Sequence, residues 1–62
     1  MTEFVLGSLV ETLTEDEFNG QEGMVVAEDI HPYHGPMYQV RFLDLFPVEP
    51  LWFRSEELRF LA

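Results

Sequence analysis

Three groups of side chains have types and spacings that invite chemistry. His31 and His34 flank Pro32-Tyr33 and follow Asp29. Imidazole and carboxylate donors hold zinc or another divalent ion when three or four of them converge. Only three candidates fall within these six residues, and Pro32 restricts the loop that would gather them. Two solvent-facing histidines and no metal centre are the expectation. Glu15-Asp16-Glu17, with Glu22, offers carboxylates for calcium or for paired acid and base work. The spacing lacks the D-x-D-x-D-G-x₅-E pattern of a calcium loop, and a loop tip gives no burial to shift a carboxyl. A solvated acidic loop is expected instead. Ser8 and Ser55 have no base beside them in sequence, and Gly20 and Gly23 are not followed by Lys-Ser or Lys-Thr. With no cysteine and no lysine in the chain, no enzyme activity and no cofactor are expected.

Charge narrows the partners. The 62 residues hold 12 acidic and 3 basic side chains, for a net charge of −9. Residues 1–40 carry −8 with no Lys or Arg, whereas Arg41, Arg54 and Arg59 leave the remainder near neutral at −1. A field of this sign repels phosphate backbones and speeds encounter with basic surfaces. Direct nucleic-acid binding is therefore not expected. No apolar run approaches the roughly 18 residues that a membrane helix needs. Met1-Thr2-Glu3-Phe4 lacks the basic start of a signal peptide, so a cytoplasmic location is expected.

The elements that must position these residues are short strands. Tyr38, Val40 and Phe42 alternate with Gln39 and Arg41 over residues 37–43, the pattern of a half-buried strand. Residues 23–30 form a second strand, apolar at first and polar later. Residues 8–13 form a third, in which Val10 and Thr12 compete with Leu9 and Leu13 for the inward face. Residues 51–54 and 59–61 are two further short apolar segments. Asn19-Gly20 closes the acidic loop with a tight turn, and two prolines and a glycine in residues 31–36 break any regular element. Ser55-Glu56-Glu57-Leu58 reads as one helical turn with Ser55 as its N-cap.

Gly7-Ser8-Leu9-Val10, Gly20-Gln21-Glu22-Gly23-Met24-Val25, Tyr38-Gln39-Val40-Arg41-Phe42 and Trp52-Phe53-Arg54-Ser55-Glu56-Glu57-Leu58 follow one another in a familiar order. That order resembles the small bacterial SH3-like barrels, including KOW-type and, more loosely, Tudor-like modules. The resemblance implies an all-β, five-stranded SH3-like barrel with one short helical turn before the last strand. A single domain would span residues 1–62, with an ordered core from about residue 3. RNA-binding KOW modules place basic residues in the first loops, where this chain has Glu15, Asp16, Glu17 and Glu22. Tudor-like readers surround a methylated ammonium with aromatic residues, for which Tyr33, Phe46, Trp52 and Phe53 are the available members.

Six Phe, two Tyr and one Trp exceed what so small a core easily holds. Val10, Val25, Tyr38, Val40, Phe42 and Leu58 would fill most of it, leaving Leu45, Phe46, Val48, Leu51 and one of Trp52 or Phe53 to be placed. Neighbours on a strand point to opposite faces, so Trp52 and Phe53 cannot both be inside. This surplus is either extra core, a dimer interface or a partner site. The expectation is a non-enzymatic accessory or regulatory small subunit that docks on a protein with a basic surface, as a monomer or weak homodimer. Glu15, Asp16 and Glu17 would steer the encounter; Phe46, Val48, Leu51, Trp52 or Phe53, with Tyr33 beside them, would anchor it. Two other functions fit the composition: a nucleic-acid mimic of the kind phages encode, which would block a DNA- or RNA-binding protein, and a small subunit of an electron-transfer or metalloenzyme complex.

Overall fold

A computed structural model describes residues 4–44 and 49–62. Its elements are β1 (Leu9–Thr12), β2 (Glu22–His31), β3 (Gly35–Phe42), β4 (Leu51–Arg54), a 3-10 turn (Ser55–Glu57) and β5 (Leu58–Phe60). Neighbouring strands are antiparallel, and their order across the sheet is β4-β3-β2-β1-β5. The hydrogen-bonded ladder is open, with β4 and β5 at its two ends. The all-β reading with one late helical turn is thus what the chain adopts. Among the described residues, no helix is long and apolar enough to cross a membrane.

Alternation builds the core. Tyr38, Val40 and Phe42 are buried along β3 while Met37, Gln39 and Arg41 take the other face. On β1 the competition falls to Val10 and Thr12, both fully buried, and Leu13 stays exposed. Thr12 can be inside because its hydroxyl donates to the Phe18 carbonyl and accepts the Gln21 N–H at 3.0 Å. On β4, Phe53 turns inward at 6% exposure and Trp52 outward at 45%. One cluster results, made of Phe4, Val10, Val25, Tyr38, Val40, Phe42, Phe53 and Leu58, with Phe18 and Leu51 packed against it. Residues from all five strands meet there, including both ends of the ladder. The six expected core residues are all present; Phe4 and Phe53 complete the set.

Two glycines make specific demands. Gly20 closes the acidic loop at φ +81°, a conformation that side chains with a Cβ disfavour. At Gly23 a Cβ would lie 2.4 Å from Val40 Cγ1 and 2.7 Å from the Arg41 carbonyl oxygen, so β2 and β3 approach too closely for any other residue.

Two local expectations need correction. No strand crosses residues 31–36, but the break is narrower than expected: β2 and β3 stay in register as far as His31 opposite Gly35, leaving a three-residue loop of Pro32-Tyr33-His34. Pro36 fits inside β3 because it lies beyond the last pairing with β4, Met37 opposite Arg54. A strand position with one open side tolerates the missing N–H. Ser55 is not the cap of the 3-10 turn but its first residue. The capping role passes to Glu57, whose Oε1 accepts the Arg54 N–H at 2.9 Å.

Candidate functional site

The acidic loop is a folded turn. Asp16 Oδ1 accepts the Thr14 hydroxyl at 2.6 Å and the Phe18 N–H at 2.9 Å, and the Asp16 carbonyl accepts the Asn19 N–H at 3.1 Å. The Thr14 hydroxyl, then the Phe18 N–H, hold the Asp16 carboxyl below the usual carboxylate range. Phe18 anchors the loop from below, stacked on Phe42 with ring centroids 5.6 Å apart. Asp16 therefore organises its own turn, while Glu15 and Glu17 stand exposed on either side of it. All three steering candidates are exposed, and Asp16 alone among them also closes the turn.

Second comes the tip of the β2–β3 hairpin. His31 Nδ1 accepts the Tyr33 N–H at 3.0 Å and the His34 N–H at 3.2 Å. The two imidazoles lie 4.5 Å apart between centroids, and the Tyr33 ring is 5.9 Å from that of His31. This histidine closes the turn in the way an Asn or Asp side chain often does. An acceptor nitrogen of this kind is not available to a metal. Among the described residues, no group of three His, Asp or Glu side chains is placed to hold an ion. Tyr33 is 90% exposed at the tip.

Third is the outer face of β2, β3 and β4. Trp52 pairs with Gln39, and Met37 pairs with Asp29 on one side and Arg54 on the other. Cross-strand partners share a face, so Asp29, Met37, Gln39, Trp52 and Arg54 lie together on the face opposite the core. A cleft of about 370 Å³ opens there, lined by Asp29, Ile30, His31, Pro32, Met37 and Trp52. Ile30 is 76% exposed at its edge. Large apolar side chains held outward by a strand register are the kind of surface that partners cover.

Several expected anchors fall elsewhere. Phe53 belongs to the core, and Leu51 is half-buried against it. Phe46 and Val48 lie outside the described residues. Among the described residues the aromatic candidates do not form a cage: Phe53 is inside, Tyr33 keeps to the hairpin tip, and Trp52 alone of them lines the cleft. Ile30 and Met37 were not anticipated as anchors. Met37 follows from the β3 alternation, since Tyr38 beside it is inward. Ile30 pairs with Pro36, on the face that alternates with Met37, and meets the cleft only at its edge near the hairpin end. Ser8, the other polar candidate, is buried, and its hydroxyl accepts the Val5 N–H at 3.2 Å. No protein-family model, curated protein or solved structure matches the chain.

Proposed function

We propose that the chain is a non-enzymatic, acidic protein-binding module, built as one SH3-like barrel and serving in the cytoplasm as an accessory or regulatory subunit of a basic partner. The barrel reading rests on the strand order and on the core: both end strands of the ladder send a side chain, Phe53 and Leu58, into the same cluster. A sheet must curl for its ends to share a core. The SH3-like resemblance in the order of the glycines and strands agrees with that curl.

The observation that carries the functional reading is Trp52. A tryptophan held outward by β4, beside Met37 and the exposed Ile30, supports a desolvated anchor on a chain whose field attracts basic proteins. Glu15 and Glu17 add the steering term. The test is affinity capture from the source lysate, read by quantitative mass spectrometry, with the wild type and Trp52→Ala side by side. A basic protein should be retained by the first and lost by the second; retention by both would reject the face.

A second reading is favoured by the one-sided charge, −8 over residues 1–40. A nucleic-acid mimic would occupy a basic groove on its target and lose it to DNA or RNA in competition. An adaptor seated through Trp52 would not.

A further inference from the structure

The cleft over β2, β3 and β4 pairs apolar walls with a single carboxylate. Ile30, Pro32, Met37 and Trp52 supply the walls and Asp29 the charge. Asp29 Oδ1 accepts the neighbouring Ile30 N–H at 2.8 Å, which fixes the side chain and leaves the second oxygen for an incoming donor. Among the described residues no arginine pairs with Asp29: Arg54 is held by Glu56 at 3.2 Å and Glu57 at 3.6 Å, and Arg59 by Glu11. The other polar lining group, His31, has its Nδ1 turned to the loop as an acceptor. Among the described residues that line it, the cleft thus presents a carboxylate beside an indole with no Lys or Arg against it.

We propose that this cleft binds the side chain of an arginine displayed by the basic protein partner. Its aliphatic stem would lie along Met37, and its guanidinium would reach both the Trp52 indole and the Asp29 carboxylate. Arginine suits the site better than lysine because its planar, weakly hydrated head stacks on an indole and forks to a carboxylate at once. A second copy of this chain is a poor source, since it brings another −9 and two of its three arginines are already paired. The proposal rests on the docking reading of the same face and names the group that the face selects.

Trp52 is the sole tryptophan, so its indole N–H gives a unique signal in a proton–nitrogen correlation spectrum. Acetyl-Gly-Arg-Gly-amide, titrated at constant ionic strength, should move that signal and the amides of Ile30 and Met37. Acetyl-Gly-Lys-Gly-amide should do so more weakly and acetyl-Gly-Leu-Gly-amide least. Asp29→Asn keeps the oxygen that caps Ile30 and should weaken arginine binding by about threefold to tenfold, as loss of a charge-assisted contact does. The double variant Glu15→Gln/Glu17→Gln should leave it within about twofold, because those charges act through screened distance. The proposal is overturned if the arginine peptide leaves the indole signal in place, or if Asp29→Asn binds it as well as the wild type does. A leucine peptide that outcompetes the arginine peptide also overturns it, while keeping the face as an apolar docking surface. The docking reading stands or falls separately, on capture with Trp52→Ala.

Discussion

Asp16 and Thr12 show how single polar groups shape the acidic loop before any partner is considered. Asp16 is exposed, yet its carboxylate accepts from Thr14 and Phe18 and titrates low for that reason. A depressed folded-state value means that this carboxylate favours the folded turn above the unfolded value. That contribution fades as pH falls below about 4, through the folded value. Carboxyl carbon shifts followed by pH should place the Asp16 midpoint below the ordinary aspartate value of about 3.9; a midpoint at that value would remove it as the organiser. Thr12 acts from within, where its buried hydroxyl holds the Phe18 carbonyl and the Gln21 N–H. Thr12→Val keeps the shape and strands both loop groups, so chemical denaturation should read a loss of about 1–3 kcal/mol. A variant as stable as the wild type would mean that water replaces the hydroxyl. The sequence identifies these residues as a polar loop. It does not reveal that Asp16 serves the turn while Glu15 and Glu17 serve the solvent, because that division depends on which N–H groups the closed loop brings within reach.

At the scale of elements, β4 makes the sharpest distinction. Two adjacent aromatic residues sit on opposite faces, and their substitutions should differ accordingly. Phe53→Ala opens a hole in the core at a cost of about 3–5 kcal/mol. A chain of this length has only about 3–9 kcal/mol in total, so that variant should be largely unfolded by circular dichroism. Trp52→Ala removes an outward side chain and should change stability by no more than about 1 kcal/mol. Equal losses at the two positions would contradict the assigned facing. Alternation in Tyr38-Gln39-Val40-Arg41-Phe42 makes β3 readable in advance, and with it three of the core residues. Strand ends and cross-strand neighbours are less accessible. The continuation of β2 and β3 to His31 and Gly35 depends on a histidine side chain closing the turn and on Pro36 lying beyond β4. The cleft depends on the register Asp29 opposite Met37, set by the bulge after Val25. Neither feature leaves a periodic trace in the sequence. Phe4 and Phe18 escaped for a related reason: each is a lone aromatic in a segment with no strand pattern, and only the closed core gives it neighbours.

For the whole molecule, charge and apolar surface divide the work. In the proposed complex the exposed carboxylates of residues 1–40 would act over a Debye length of about 10 Å and set the encounter rate. Trp52, with Met37 beside it, would act only on contact and set how long the complex lasts. Two free copies repel each other at −9 apiece, so sedimentation should find a monomer at low salt. A dimer under those conditions would turn the outer face into a self-association surface. The most direct measurement is the binding kinetics of the captured basic partner at two salt concentrations, using the wild type, Glu15→Gln/Glu17→Gln and Trp52→Ala. The charge variant should slow association at low salt, lose that deficit at high salt and leave dissociation unchanged. Trp52→Ala should speed dissociation by about tenfold or more, as an anchor residue does, with association nearly intact. Dissociation that ignores Trp52 while all three proteins remain folded would contradict the account.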